Sequence, residues 1–476
     1  MMGGTGVTPA EGNLLLGVLV LVLATWLPPQ FRRTVAVGAA AVTFVTAAGL
    51  AVTGLRWQMI PVLVAFVLIL PLLAGILMRK LGEERGRLWL PGLVSVIGVL
   101  AIMASVSAAV AFPIPVFPTP TGKYAVGTTI VEWSDPERPE AWTAEPADGR
   151  EVQAQIWYPA RASLPDVERA RYLGRSEVEA NAVAEGIGAF LGIPRFTFDG
   201  AVAARTDAVP EAPVAAGDER FPVVVFSPGG GMGRATNTAW AEELASHGYV
   251  VAALDHPYDS TVVMFTDGRT IHRLDYPYTN EADARRLSEE LAAVKAADLS
   301  SALTYLERIN SGEVENLLSG HLDTGRAAVA GMSAGVGGAF QAARTDERFA
   351  VLLALDGRPY DGEPGPYGQP ALAMTNQMGL SDNPTYLPEL GQGLERSTAT
   401  GYLLTIPGTA HSTFTDAPLW WPPIPWLVGS LGRTEGNRII TEVTIGFLDA
   451  ELRGQPVDLP GFFSGYGELA VYDTGE

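Results

Sequence analysis

Cysteine is absent from all 476 residues. Without thiols there are no disulfides, no thiolate nucleophile and no cysteine-based zinc site. The compartment stays open, because a cysteine-free chain suits a reducing and an oxidising space equally. Histidine is scarce too: His247, His256, His272, His321 and His411 form no H-x-x-x-H pair, so neither a metal site nor a cofactor is expected. Positive charge is in deficit, 32 Lys and Arg against 52 Asp and Glu, for a net −20. An acidic surface repels polyanions, which excludes nucleic acid as a partner. The deficit is uneven: residues 1–112 hold seven basic side chains and three acidic ones, so the remainder carries the whole negative balance.

The first quarter also lacks charge within four apolar runs, Gly12–Leu27, Thr34–Leu55, Met59–Met78 and Leu88–Phe112. About 20 helical residues cross the hydrocarbon core of a bilayer. The last three runs reach that length; the first is short and stops at Trp26 and Pro28-Pro29. None has the polar face that a buried helix of a soluble protein would show. No positive charge precedes the first run, which argues against a cleaved signal peptide. Arg32 and Arg33 follow run one, and Arg79, Lys80, Arg85 and Arg87 follow run three, whereas run two is followed by Arg56 alone. That asymmetry puts the first and third loops in the cytoplasm, and the N-terminus and everything after Phe112 outside. Pro61, Pro71 and Pro91 would kink the spans, but no ionisable residue sits mid-span, so an anchor is expected rather than a channel or pump. Residues 1–112 are thus expected to be a four-helix transmembrane module of the cell membrane. A stiff Pro-rich linker over 113–123 follows, then a second domain over 124–476.

In that second domain short apolar strands alternate with helices. Gln153–Tyr158, Phe221–Phe226, Tyr249–Leu254, Arg326–Ala330, Ala350–Leu355 and Tyr402–Ile406 read as strands. Asn237–His247, Glu281–Asn310, Val336–Ala343 and Asn437–Leu452 read as helices. The alternation predicts an α/β fold, a mostly parallel sheet with helices on both faces.

Gly331-Met332-Ser333-Ala334-Gly335 is a G-x-S-x-G pentapeptide lying between a strand and a helix. In that setting the turn holds a serine hydroxyl out at its tip, and flanking side chains would collide with strand and helix. A serine hydroxyl needs a base and an orienting carboxylate, here expected in the order Ser, Asp, His. Asp356 ends VLLALD and His411 follows YLLTI, both at the carboxyl edge where open α/β sheets collect their sites. The other histidines fit less well. His247 ends a helix, His256 precedes the serine, and His272 and His321 sit in polar loops. The oxyanion formed on attack needs two backbone N–H donors. Ala334 and Gly230, the latter in the loop Ser227-Pro228-Gly229-Gly230-Gly231 after FPVVVF, are the candidates. That loop lacks the Lys-Ser/Thr ending of a phosphate-binding loop.

Residues 113–455 resemble the platelet-activating-factor acetylhydrolase branch of the α/β-hydrolases, in particular its bacterial members. FPVVVFSPGGG, ELASHGYVVAALDHPYDS, AAVAGMSAGVGGAF, LLALDGRP and GTAHSTFTDAP carry the resemblance. It implies an α/β-hydrolase fold, Ser333, Asp356 and His411 as triad, and hydrolysis of lipid-like esters with short acyl groups. Two departures border the acyl site and leave its preference open. Ser227-Pro228-Gly229 stands where Ser-His-Gly is usual, and Met332 where His or Trp is commoner.

Two further segments bear on the substrate. Residues 160–220 form an insertion, helical over Leu164–Phe190 and extended over Thr197–Thr206, that is either a cap over the acyl pocket or an extra packing layer. Leu419–Trp426 holds three tryptophans and three prolines, a stiff loop rather than a regular helix. Trp420 and Trp421 either rest on lipid or line the acyl entrance, or else they pack on the closing helix. The expected activity is that of a membrane-anchored serine esterase whose partners are an ester or lipid substrate and the bilayer. The alternatives are a broad polyester or dienelactone-type hydrolase, and a membrane sensor whose hydrolase-like domain only binds.

Overall fold

The computed structural model describes residues 6–77, 89–143, 148–161, 167–215, 217, 219–360, 365–377 and 385–473. They fall into two units, Met1–Ile114 and Pro115–Glu476. Arg79, Lys80, Arg85 and Arg87, on which the orientation argument leans, lie outside the described residues, as does Leu164.

The first unit holds α1 (Pro9–Ala24), α2 (Pro29–Thr53), α3 (Ile60–Leu77) and α4 (Trp89–Ala111). Thr8 and Glu11 start α1 with reciprocal side-chain-to-backbone bonds. Three stretches, Gln30–Thr53, Trp57–Gly75 and Leu90–Ala111, are long and apolar enough to cross a membrane. The 16-residue α1 is shorter. Small residues let the helices approach: a Cβ on Gly17 would collide with Thr43, and one on Gly98 with Val22. The outward faces are apolar, with Val45, Val52 and Phe44 mostly exposed. At one end Arg56 donates to the carbonyls of Gly6 (2.9 Å) and Phe112 (3.1 Å) and pairs with Glu11 at 3.2 Å.

The second unit is built on β1 (Ala125–Pro139), β2 (Gly149–Ala160), β3 (Val209–Pro210), β4 (Phe221–Ser227), β5 (Val250–Asp255), β8 (Leu322–Met332), β9 (Phe349–Leu355), β10 (Ala371–Asn376), β11 (Gly401–Ile406) and β12 (Glu468–Tyr472). A separate hairpin pairs β6 (Val262–Met264) with β7 (Thr270–His272). The sheet order is β12-β11-β10-β9-β8-β4-β5-β2-β1-β3. The six strands from β11 to β5 are parallel, while β12, β2 and β1 join antiparallel.

Continuous apolar strands follow from burial on both faces. Val223 and Val225 point into one core, which also takes residues of α8 (Glu281–Ser311) and α9 (Gly335–Thr345). Val224 and Phe226 point into the other, shared with α7 (Thr238–Ser246) and α12 (Glu435–Arg453). The remaining helices are α5 (Glu177–Leu191), α6 (Asp199–Ala203), α10 (Tyr386–Leu394), α11 (Pro425–Val428) and α13 (Leu459–Phe463).

Two expectations for the insertion need correction. The described part of the expected helix begins only at Glu177, where the Ser176 hydroxyl accepts the Glu179 N–H and fixes the start. Thr197–Thr206 is not extended throughout: Arg195–Phe198 is a 3-10 turn running into α6, and only the end pairs, in a bridge from Arg205 to Arg171. His272 lies at the end of β7 rather than in a loop.

Candidate active site

β8 ends at Met332 and α9 starts at Gly335, so the chain must reverse within two residues. It does so with Ser333 at φ +53°, a left-handed conformation that costs a non-glycine residue energy. The Ser333 N–H donates to the Leu355 carbonyl (2.9 Å) and its carbonyl accepts from Val336 (3.1 Å), which holds the strained residue in place. Both glycines are sterically required. A Cβ on Gly331 would strike the Gly335 backbone, and one on Gly335 the carbonyls of Ser227 and Pro228.

Asp356 follows β9, also left-handed at φ +47°, and is buried. Its Oδ1 accepts from Thr375 Oγ1 (3.0 Å), Asn376 N (2.9 Å), Asn376 Nδ2 (2.9 Å) and Tyr386 OH (3.1 Å). Its Oδ2 lies 2.6 Å from His411 Nδ1, and His411 Nε2 lies 3.0 Å from Ser333 Oγ. Three residues from three strand ends thus form one hydrogen-bonded chain. Burial alone would push the Asp356 carboxyl up, but the His411 bond and the Asn376 amide outweigh it and leave it below the usual carboxylate range. For His411, whose side chain is about half exposed, partial desolvation works downward, while the hydrogen bond and charge of Asp356 work upward and prevail.

Gly229 and Gly230 run past the elbow so closely that a Cβ on either would sit 3.3 Å from Ser333 Cβ or Ala334 Cβ respectively. Among the described residues neither the Gly230 nor the Ala334 N–H has a partner. A cavity of about 480 Å³ opens at Ser333 and His411, bordered by Gly229, Gly230 and Met332. Its walls mix aliphatic side chains with six aromatic ones: Tyr172, Phe190 and Phe198 from the insertion, and Trp420, Trp421 and Trp426 from the Trp-Pro segment. Pro228 does not line it. The Trp420 ring is buried, 5.2 Å from both Phe198 and Trp421, whereas Trp426 is 72% exposed. A second, more polar cavity of about 390 Å³ also borders Ser333 and His411 and is lined by Arg358, Asn376 and Tyr386.

Residues 111–454 match the family model described as platelet-activating factor acetylhydrolase, isoform II. The chain belongs to that family. Similar proteins include a platelet-activating factor acetylhydrolase of Cavia porcellus, 30% identical in an alignment of 154 positions that covers 29% of this chain and 35% of that one. A probable 1-alkyl-2-acetylglycerophosphocholine esterase of Arthroderma benhamiae is 28% identical, over 42% of this chain and 49% of that one. The chain therefore spans only about a third to a half of these relatives' lengths. Among solved structures, a ferulic acid esterase from Streptomyces cinnamoneus is 29% identical with a TM-score of 0.59, over 72% of this chain and 94% of that one. The α/β-hydrolase fold of the second unit stands on that likeness together with its mostly parallel sheet.

Sequence reading did not find the donors that hold Asp356. Their signal was there: ALAMTN, after Pro370, is an apolar run ending in Thr375 and Asn376, the profile of one more buried strand. Nor does the sequence mark His256 as buried between Ser227 and Asp298, since it precedes Ser333 in the chain and no local pattern links it to either partner.

Proposed function

We propose that the chain is a serine carboxylic-ester hydrolase with Ser333, His411 and Asp356 as its triad. The carrying observation is the hydrogen-bonded run Ser333–His411–Asp356 beside the unpartnered N–H groups of Gly230 and Ala334. Ser333 Oγ attacks the ester carbonyl carbon while its proton passes to His411 Nε2. Asp356 accepts a hydrogen bond from Nδ1–H, which keeps Nε2 free to take the serine proton and stabilises the imidazolium. The carbonyl oxygen, now an anion, is held by Gly230 and Ala334. Collapse returns the proton from His411 to the departing alcohol and leaves an acyl-Ser333 ester. Water activated by His411 then releases the acid.

The substrate is a short-acyl phospholipid-like or small ester, as family membership suggests, with Gly229, Met332, Trp420 and Trp421 bordering the acyl group. A second reading is favoured by the cavity itself: six aromatic walls and about 480 Å³ suit an aromatic or longer acyl group better than an acetyl. The ferulic acid esterase likeness points the same way.

The first 112 residues act as a membrane anchor, with 113–123 as linker and 124–476 as the catalytic domain, its insertion at 160–220 walling the cavity. The side on which that domain lies depends only on the loop after α3 being cytoplasmic and on α4 crossing once. The shortness of α1 therefore does not alter it, and the domain is extracytoplasmic.

Labelling with a fluorophosphonate probe tests the reading. The full chain should be modified at Ser333 and Ser333→Ala should be neither labelled nor active; a labelled or active Ser333→Ala would refute it. Rates on acetyl, longer-chain and feruloyl esters then choose between the acyl groups.

A further inference from the structure

β4 ends at Ser227, and the residues immediately beyond it are the Pro228-Gly229-Gly230 loop. The Ser227 hydroxyl lies 2.9 Å from His256 Nε2, and His256 Nδ1 lies 2.7 Å from Asp298 Oδ2. This is a second Ser–His–Asp array, made from β4, the end of β5 and α8, and all three residues are 0% exposed. It is anchored from behind. Arg150 forks onto Asp298 with Nε–Oδ1 3.1 Å and Nη2–Oδ2 2.7 Å, and Arg138 adds Nη2–Oδ1 at 2.6 Å. Arg150 Nη1 also donates to Glu140 (2.8 Å) and to the Pro257 carbonyl beside His256 (3.1 Å), while the His256 N–H donates to Ser260 Oγ (3.0 Å).

Sealed from solvent and substrate, Ser227 cannot serve as a nucleophile. Its protonation pattern is nevertheless fixed. Burial alone would lift the Asp298 carboxyl, but the Arg150 charge and the His256 bond hold it well below the usual range, so it is ionised. The imidazole is pushed down to about 4, by burial first and by Lys295 second, so at neutral pH it is uncharged. With Nδ1–H donating to Asp298, Nε2 has only a lone pair to offer, and Ser227 must donate to it. The other side of Ser227 is equally constrained. Its carbonyl, with that of Pro228, lies against Gly335 at the start of α9, closely enough to exclude a Cβ. One residue is thus clamped between a charged buried network and the nucleophile elbow, three positions before Gly230.

We propose that Ser227, His256 and Asp298 are positioning residues that set where the Gly230 N–H points, and so hold the oxyanion donors in their productive geometry. The proposal rests on the esterase reading, with Gly230 and Ala334 as the donors. Donor placement acts only on the charge that develops in the transition state, so loss of the array lowers kcat and leaves substrate binding alone. The buried charges are expensive to desolvate, which a structural role alone would not call for, since a well-packed apolar cluster would serve as well.

The test uses the full chain and a soluble aryl ester, with active sites titrated by the fluorophosphonate so that kcat counts folded enzyme only. Ser227→Ala removes one hydroxyl and should lower kcat roughly tenfold or more with KM within about twofold, and weaken a boronate that forms a tetrahedral adduct by the same factor. His256→Leu should match it, and the double variant should be no worse than either single one, since both break one link. His256→Gln, whose amide can donate to Asp298 and accept from Ser227, should recover part of the rate. If His256→Leu does not fold, Ser227→Ala decides alone. A Ser227→Ala enzyme with unchanged kcat per titrated site, whatever its Tm, overturns the proposal. So does one in which the boronate binds as tightly as before. If Ser333 is not the labelled residue in the unaltered chain, it is the esterase reading that fails. If Ser333 labels and Ser227→Ala is fully active, only the positioning role falls.

Discussion

Replacing Asp356 with Asn changes one atom in a site that leaves the new amide little choice of orientation. Thr375 Oγ1, Asn376 N, Asn376 Nδ2 and Tyr386 OH all converge on Oδ1. The amide oxygen is favoured at that position, because an NH2 there would meet both the Asn376 backbone N–H and its Nδ2, whereas at Oδ2 it meets only Asn376 Nδ2, 2.8 Å away, which keeps Oδ1 as an acceptor. The NH2 is then directed at His411 Nδ1, where the wild-type Oδ2 sits at 2.6 Å. Facing a donor, Nδ1 becomes the acceptor, the ring proton moves to Nε2, and Nε2 can no longer receive the Ser333 hydroxyl proton. A wrong tautomer of this kind costs about four orders of magnitude in kcat, about 5.5 kcal/mol of barrier. The fold should survive, since shape and volume are kept. The assay is steady-state hydrolysis of a soluble aryl ester by the full chain, alongside the thermal unfolding midpoint. A folded Asp356→Asn enzyme retaining more than about a tenth of wild-type kcat would refute the tautomer argument and the role given to Asp356.

The pH profile gives a second expectation. His411 must be neutral to act as a base, and its pKa lies above the ordinary 6.5, so kcat/KM should fall as pH drops through a midpoint above 6.5. An acid limb centred below 6 would contradict this. Trp426, 72% exposed at the cavity mouth, is a cleaner probe of lipid contact than the buried Trp420. Trp426→Ser should slow vesicle-borne esters roughly tenfold while a soluble ester and the Tm hold; equal slowing of both would place the lipid contact elsewhere. Arg150→Met leaves Asp298 to Arg138 and His256 but removes the arginine paired with buried Glu140 and the fork on Asp298, and chemical denaturation should register a loss of about 3 kcal/mol. An unchanged midpoint would mean that those carboxylates find other partners. Protease added to intact cells should cut near Thr119–Lys123 and release the second domain; protection until lysis would reverse the orientation argued from the loop charges.

The strands that build the middle of the sheet were legible because burial on both faces demands unbroken apolar runs, and FPVVVF, YVVAAL and YLLTI supply them. The edges were not. β1 carries Glu132, Asp135, Glu137 and Arg138 and owes its existence to a long antiparallel pairing with β2, a non-local fact that no short window contains. β12 is mostly exposed and forms only because β11 offers an edge. In the site, the order and spacing of Ser333, Asp356 and His411 could be read because each stands just past a strand end. The array behind the oxyanion loop could not be read that way. Asp298 lies in the middle of a 31-residue helix, between Ala297 and Leu299, and a lone carboxylate in such a stretch reads as solvent-facing, although Lys295 and Leu299 beside it are buried. Chain order sets His256 apart from Ser333, as the geometry does, but says nothing of Ser227, to which packing brings it. Thr197–Thr206 reads as extended, but local turns close most of it into a 3-10 turn and α6.

The crowding at the elbow also bears on how such a site can diversify. Positions 331 and 335 are barred to any side chain by backbone on the far side, and a side chain at 230 would press on Ala334. Met332 has no such backbone bar, although its side chain is buried. Its side chain packs in the core beneath the sheet's carboxyl edge, with its sulfur reaching the space beside Gly229. Change in acyl preference across descendants of this chain therefore has a narrow route: through position 332 and through the rings that the insertion and the Trp-Pro segment bring to the cavity. Those surfaces can drift at little cost to the hydrogen-bond chain, while the turn that bears the serine is held nearly invariant by geometry alone.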